Sequence, residues 1–255
     1  MFDNTYKKRV AVLRGGPSTE YAISMQSGAC ALKAIANLPY VAKDIVITKN
    51  GEWLVNGFVK TPQQALIDAD VVFLALHGLY GEDGTVQRIL ERLQKPFTGS
   101  GSYASAVAMN KALTKDFLKK NTEILSAPFL KITRNGASNL QQVVRSITEL
   151  FGPEYVVKPL TGGSSIGIVM ADAHGLLEAV INALDQDDQI IVEERIRGRE
   201  ATVGVLEKFR DQHHYSLPPV EIIPPIKADY FNADVKYSGE TEELCPGRFS
   251  KEEKK

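Results

Sequence analysis

The chain has 255 residues, 44% of them hydrophobic and 24% charged, which is enough to bury one large core or two smaller ones. Its 30 Lys plus Arg stand against 31 Asp plus Glu, a balance that gives no electrostatic case for nucleic acid or an anionic membrane as partner. The opening Met1 to Lys8 has no apolar stretch after its charges and no later run approaches the roughly 18 apolar residues of a membrane span, so a cytoplasmic location is expected. Two cysteines, Cys30 and Cys245, are too few for a disulfide framework and read as reduced thiols.

Apolar runs that suit buried strands alternate with helical patterns through most of the chain, the signature of an α/β fold with a largely parallel sheet covered by helices. The first unit is a strand over 9–13, the loop Gly15-Gly16-Pro17-Ser18-Thr19-Glu20, and a helix with Met25, Ala29, Leu32 and Ala36 on one stripe. After a strand at 44–47, Asn50-Gly51 suits a tight hairpin with Trp53-Leu54-Val55 as the returning strand. The run at 71–76 is apolar without alternation, as in a central strand buried on both faces, and it delivers His77-Gly78 to its C-terminal end, where open α/β sheets bind ligands.

A helix over 85–93 follows, then Pro96-Phe97-Thr98 and the loop Gly99-Ser100-Gly101, taken as a lobe boundary with the second lobe starting at Ser102. There a helix carries Met109, Leu113 and Phe117 on one face and Lys111, Lys115 and Lys119 on another. Further strands are expected at 127–132, 155–158, 166–170, 189–194, 201–207 and 220–223, with helices at 139–150 and 174–184. The charged end Lys251-Glu252-Glu253-Lys254-Lys255 reads as a helix start or a frayed end.

Chemistry concentrates in Val156-Val157-Lys158-Pro159-Leu160-Thr161-Gly162-Gly163-Ser164-Ser165-Ile166-Gly167. A lysine closes a strand just before a loop whose glycines let backbone N–H groups converge on anionic oxygens and whose serines add donors, a combination suited to polyphosphate. No Lys-Ser or Lys-Thr follows the glycines, so the loop is not a Walker A sequence, and an ordinary strand-to-strand turn accounts for the same residues. Gly99-Ser100-Gly101-Ser102-Tyr103-Ala104 fits the dinucleotide pattern, which keeps a nicotinamide-dependent oxidoreductase as a competing reading.

The run from His77 to Gly84 places an imidazole and two carboxylates on a glycine-rich loop; Glu82 and Asp83 are explained by capping of the next helix, His77 less easily. The sequence shows no metal-ligand cluster, since His213-His214 are adjacent and the acidic residues follow no calcium-loop spacing. There is no Gly-x-Ser-x-Gly elbow, and Glu193 and Glu194 point to opposite faces of a strand.

In order and spacing, Gly15 to Glu20, His77 to Gly84, Met109-Asn110-Lys111, Val157-Lys158-Pro159 with Gly163-Ser164-Ser165, Glu193-Glu194-Arg195-Ile196, Gly198-Arg199-Glu200 and Lys236-Tyr237 resemble D-alanine–D-alanine ligases of the ATP-grasp superfamily. The resemblance implies an N-terminal parallel α/β lobe at 1–101 and an ATP-grasp domain at 102–255, with a central α+β subdomain at 102–192, a C-terminal one at 193–255 and a closing loop at 227–246. It implies that Lys111 and Lys158 hold ATP phosphates, that Gly163, Ser164 and Ser165 cover them, and that Glu193, Glu194, Ile196 and Glu200 meet adenine and ribose. It further implies that Glu20 holds the ammonium of the first D-alanine and connects through Ser164 to Tyr237, that His77 lies beside the substrates, and that Lys236 and Tyr237 form the loop tip.

The expected partners are ATP and two D-alanine molecules, with Mg2+ or Mn2+ as cofactor and a homodimer as the assembly. Asn110 departs from the aspartate usual before the lysine, and the segment carrying the metal ligands is expected beyond Cys245-Pro246, so the C-terminal lobe is expected to be incomplete and the chain to be part of a longer ligase. A shortened relative that binds nucleotide or a partner without catalysis is the alternative.

Overall fold

The computed structural model describes residues 6–136, 139–225 and 233–254. By contacts the chain divides into two units, Met1–Ser126 with Thr161–Gly163, and Ala127–Leu160 with Ser164–Lys255.

The first unit begins β1 (Arg9–Gly15), α1 (Tyr21–Ile35), β2 (Val41–Ile47), β3 (Trp53–Val55), β4 (Phe58–Lys60), α2 (Pro62–Leu66) and β5 (Val71–Leu74). The strands form one sheet in the order β4-β3-β2-β1-β5, parallel where β1 meets β2 and β5, antiparallel through the β2-β3-β4 hairpins. The Asn50-Gly51 turn and the returning strand stand where the sequence puts them, and β4 adds a second hairpin. Leu13, Ile45, Ile47, Trp53, Leu66, Val72 and Leu90 form its main core.

Two expectations need correction. The strand at 71–76 is not central: β5 closes the sheet order, Phe73 is exposed, and along the outer edge Pro96 and Thr98 exchange backbone hydrogen bonds with Val72. The buried stripe of α1 is Ser24, Gly28 and Ile35, while Ala29 and Ala36 are exposed. Polar and small residues win these positions because Ser24 Oγ accepts from Gly15 N and donates to Ala75 O, both at 2.7 Å, and Gly28 lies against the Arg14 side chain.

Three helices complete the unit, α3 (Thr85–Arg92), α4 (Ser102–Met109) and α5 (Lys111–Asn121). The single helix expected around Met109 to Phe117 is two, broken at Asn110, whose side chain accepts from Leu113 N at 3.1 Å and caps α5. Leu113 and Phe117 are both 50% exposed, and Ala112 is the buried residue of α5. The contact division falls after Ser126, and on its near side α4 packs on α3 and Glu91 accepts from Ser102 N and Oγ.

The second unit contains β6 (Phe129–Thr133), α6 (Leu140–Leu150), β7 (Glu154–Pro159), β8 (Val169–Asp172), α7 (Leu176–Gln186) and β9 (Gln189–Glu194). Their sheet, β6-β9-β7-β8, is antiparallel throughout and packs its apolar face on α6 and α7 through Tyr155, Val157, Ile147, Val180 and Ile190. The parallel pairing suggested by the apolar runs is found in β2-β1-β5, and this antiparallel sheet with its helices is the α+β arrangement that the resemblance implies for the central lobe. The stretch from Leu160 to Ile168 is shorter than the dozen or so residues that a parallel crossover needs, so β7 and β8 can only pair antiparallel.

Beyond β9 follow β10 (Glu200–Thr202), β11 (Val205–Phe209), β12 (Gln212–Ser216), β13 (Val220–Ile223), α8 (Ala233–Ser238) and β14 (Glu242–Leu244). The expected strand at 201–207 is thus split between β10, which joins the sheet β10-β13-β14, and β11, which pairs with β12 in a separate hairpin. The closing loop expected at 227–246 falls partly outside the described residues. Cys30 and Cys245 are exposed free thiols, and among the described residues no helix is long and apolar enough to cross a membrane.

Candidate functional site

In the second unit, β7 and β9 lie side by side with Val156 opposite Glu193 and Lys158 opposite Ile191. Lys158 is therefore diagonal to Glu193 on one face, and its Nζ reaches Glu193 Oε2 at 2.6 Å. Glu193 is 6% exposed, so its charge is matched by an ammonium on the same cleft wall rather than by water.

This pair floors a cleft of about 430 Å³ lined also by Val156, Ser165, Ile168, Met170 and Glu194 through Gly198 with Glu200. Of the residues expected to meet a nucleotide, it brings together Lys158, Ser165, Glu193, Glu194, Ile196 and Glu200. Ile196 is 67% exposed, an apolar side chain offered at the cleft rather than packed away. Arg195, inside the Glu193 to Ile196 segment, lines the cleft as well; Met170 and Arg197 also do and were missed because local sequence does not say which segments face one another. Arg197 is held at the rim by Glu154, with Nε–Oε2 at 2.7 Å and Nη2–Oε1 at 2.5 Å.

The loop after β7 has an unusual backbone. Ser164 and Ser165 both have positive φ, at 53° and 58°, so two consecutive L-residues sit in the left-handed region that costs each of them roughly 1 kcal/mol. The loop's glycines and serines supply backbone N–H and hydroxyl donors, the groups that anion-binding loops use. Lys236, on α8, approaches the same loop, its Nζ 3.5 Å from Ser164 Oγ. Tyr237 lies in α8 too, and its side chain falls outside the described residues.

In the first unit, Lys111 at the start of α5 donates from Nζ to Gly162 O at 3.0 Å, and Gly162 N donates to Met109 Sδ at 3.3 Å. These contacts assign Thr161–Gly163 to this unit. Glu20 stands just before α1, with its N–H donating to Ser18 Oγ and its carboxylate against Gly78, where an added Cβ would come within 2.6 Å of Oε2. An added Cβ at Gly163 would lie 3.9 Å from the same oxygen.

His77 follows β5 beside this carboxylate-bearing corner. Its Nε2 is 2.9 Å from Ser27 Oγ on α1, its Nδ1 is 3.8 Å from Glu82 Oε1, and its carbonyl accepts from Ser18 Oγ at 2.7 Å. The expected capping role fits Asp83, which accepts from Thr85 N and Tyr80 N; Glu82 instead ties the loop to itself by accepting from Gly78 N at 2.8 Å. Tyr80, at φ 72°, is anchored by Trp53 Nε1, which donates to its hydroxyl at 2.9 Å, and burial pushes the Tyr80 phenol above its usual pKa. Ser18 and Ser27 were quoted or passed over without a role; the signal available was only their place near the Gly15-Gly16 loop.

Among the described residues no group of three or more His, Cys, Asp or Glu side chains comes together as a metal would require.

Two family models match, one described as the D-ala D-ala ligase C-terminus over residues 118–255 and one as its N-terminus over residues 55–100. The chain is 33% identical over 278 aligned residues to a D-alanine–D-alanine ligase of Leptospira interrogans, covering 97% of this chain and 78% of the relative. It is 35% identical to that of Geobacter sulfurreducens, covering 96% and 70%. Among solved structures, the D-alanine–D-alanine ligase of Coxiella burnetii superposes with a TM-score of 0.70 at 28% identity, covering 84% of this chain and 71% of that one. A D-Ala:D-Ser ligase from Enterococcus faecalis gives 0.76 at 26%, covering 97% and 78%. The D-alanyl-alanine synthetase A of Vibrio cholerae gives 0.79 at 22%, covering 97% and 77%, a likeness of fold. A C-terminal model spanning more than half of the chain, with relatives above 30% identity along nearly all of it, places the chain in the D-alanine–D-alanine ligase family.

Proposed function

We propose that the chain joins two D-alanine molecules in an ATP-driven reaction that supplies D-alanyl-D-alanine for peptidoglycan precursors. The observation that carries this reading is the cleft in which Lys158, paired with Glu193, closes β7 immediately before a loop with left-handed Ser164 and Ser165. A compact cation beside a glycine- and serine-rich loop suits the triphosphate, and a carboxylate-rich, partly apolar wall at Glu193, Glu194, Ile196 and Glu200 suits a base and a sugar bearing hydroxyls.

The ammonium of the first D-alanine is held by Glu20, whose carboxylate is kept at the Gly78 corner, with His77 beside it. A carboxylate oxygen of that D-alanine attacks the γ-phosphorus, the bond to the ADP oxygen breaks, and an acyl phosphate forms. The amine of the second D-alanine then attacks the acyl carbon; the tetrahedral intermediate expels phosphate and the nitrogen loses its proton. Positioning and charge stabilisation supply most of the acceleration, with Lys111 and Lys158 balancing charge on the phosphates and Gly163, Ser164 and Ser165 covering them. Lys236 and Tyr237 on α8 belong to the segment that shields the acyl phosphate from water, with Lys236 Nζ 3.5 Å from Ser164 Oγ.

A divalent metal, Mg2+ or Mn2+, belongs to the same proposal: it would neutralise charge on the transferred phosphoryl group, and among the described residues no group of three or more His, Cys, Asp or Glu comes together to hold it. The domain reading of 1–101 and 102–255, the cytoplasmic location and the homodimer are part of the same proposal.

The test is D-alanine-dependent release of ADP. The protein should show it, and Lys158→Ala should lower it by at least about a hundredfold with the far-UV circular dichroism spectrum unchanged. Retained turnover would put the phosphate site elsewhere.

A further inference from the structure

The small sheet β10-β13-β14 carries different chemistry on its two faces. In its register Ala201 is opposite Glu221 and Glu200 is opposite Ile222. Opposite residues share a face and neighbours along a strand alternate, so Arg199 and Ala201 fall on the face of Glu221, and Glu200 falls on the other, where it lines the Lys158 cleft.

On the reverse face Glu221 is 5% exposed and each of its oxygens serves one arginine. Oε1 accepts from Arg199 Nε at 3.1 Å and Nη2 at 3.0 Å; Oε2 accepts from Arg248 N at 3.0 Å and Nε at 3.2 Å. Arg199 also donates from Nη2 to Arg248 O at 2.8 Å and from Nη1 to Glu253 Oε1 at 3.1 Å, and its guanidinium carbon lies 4.4 Å from the Phe249 ring centre. The guanidinium is thereby fixed on its edges and on one face. Beside it, an added Cβ at Gly198 would meet nothing within 4 Å.

We propose that Arg199 is a positioning residue for nucleotide recognition. Clamped to Glu221 behind the sheet, it fixes the start of β10, and by strand alternation that holds the Glu200 carboxylate toward the cleft, where it accepts from a ribose hydroxyl of ATP. The role rests on the reading of this cleft as the ATP site. Lysine cannot fill it, because an ammonium lacks the planar fork that reaches Glu221, Arg248 O and Glu253 together.

The test is calorimetric titration with ATP and with 2′-deoxy-ATP, using the protein, Arg199→Lys, Glu200→Ala and Lys158→Ala. Arg199→Met combined with Glu221→Gln is a second route to the same question that leaves no unpaired buried charge. ATP should bind the protein more tightly than its deoxy analogue. Arg199→Lys and the double variant should weaken ATP by about tenfold and bring the two nucleotides to near-equal affinity, as Glu200→Ala does. A lower Tm with the parent's selectivity retained would mean that Arg199 only supports the fold, and the proposal would be overturned. If Lys158→Ala leaves ATP affinity unchanged as well, the cleft assignment itself fails. If Lys158→Ala abolishes binding while the Arg199 variants keep the parent ratio, the positioning role alone fails.

Discussion

Lys158 Nζ and Glu193 Oε2, 2.6 Å apart across β7 and β9, neutralise each other in a wall where Glu193 is nearly buried. Removing the lysine alone takes this ammonium from a nearly buried carboxylate, a loss of about 2 kcal/mol that a domain of ordinary stability survives. Urea unfolding of Lys158→Ala should therefore show a lower midpoint than unfolding of Lys158→Ala with Glu193→Gln. Equal midpoints would show that the pair is solvated and contributes little to the cleft wall.

Gly78 leaves room for the Glu20 carboxylate. With φ at 71° and an added Cβ only 2.6 Å from Oε2, Gly78→Ala adds about 1 kcal/mol of backbone strain and pushes Glu20 aside. In steady-state kinetics the KM for D-alanine should rise by about tenfold or more while ATP affinity in calorimetry stays as it was. An unchanged KM would remove Glu20 from the substrate site.

The pH dependence of stability has a nameable contributor in Glu221. Its carboxyl is held below the usual glutamate range, first by the Arg248 main-chain N–H and then by the Arg199 and Arg248 side chains, against the opposing effect of burial. A depressed folded-state pKa gives stability that is present in full above the ordinary glutamate value of about 4.3 and is lost as pH falls through the lower folded value. Melting curves from neutral pH down to about pH 3 should fall less steeply for Glu221→Gln than for the parent. Parallel acid limbs would show that this group does not change its pKa on folding.

Asn110 caps α5 through Leu113 N, so Asn110→Ala should lower stability by about 1 kcal/mol in urea unfolding. Asn110→Asp should be neutral or slightly stabilising, since aspartate accepts the same bond and adds a negative charge at a helix N-terminus. A drop as large as that of alanine would mean that the asparagine amide, rather than its oxygen, is what the helix needs.

Much of the fold was written locally. The strands at 189–194 and 220–223 and the return at Trp53 coincide with β9, β13 and β3, because apolar and β-branched runs bounded by turn residues carry their own limits. What depended on partners was not legible. Strand direction is not encoded in a strand's composition, so the apolar runs alone suggested a largely parallel sheet, and the α+β character of the second unit came from the resemblance. Neither β12, with Gln212, His213 and His214, nor β14, with Glu242 and Glu243, contains an apolar run to announce it. The signal for the break between α4 and α5 was present in Asn110, a capping residue inside an apparently continuous apolar pattern.

The same limit governs the site. The resemblance supplied Lys158, Glu193 and Glu200 one by one, but the register that makes Lys158 and Glu193 diagonal neighbours is a property of two strands far apart in sequence. The alternation that puts Arg199 and Glu200 on opposite faces was readable in principle; that Glu221 and Arg248 would meet Arg199 was not.

The left-handed pair Ser164 and Ser165 also acts as a filter on which sequences can carry this loop. Glycine, asparagine and aspartate adopt that backbone more readily than the serines present, whereas the branched Cβ of valine, isoleucine and threonine strains it further before any contact with a ligand is considered. Geometry alone thus biases variation at these two positions, and a library that randomises them should return its most stable chains enriched in glycine, asparagine, aspartate and serine over valine and isoleucine.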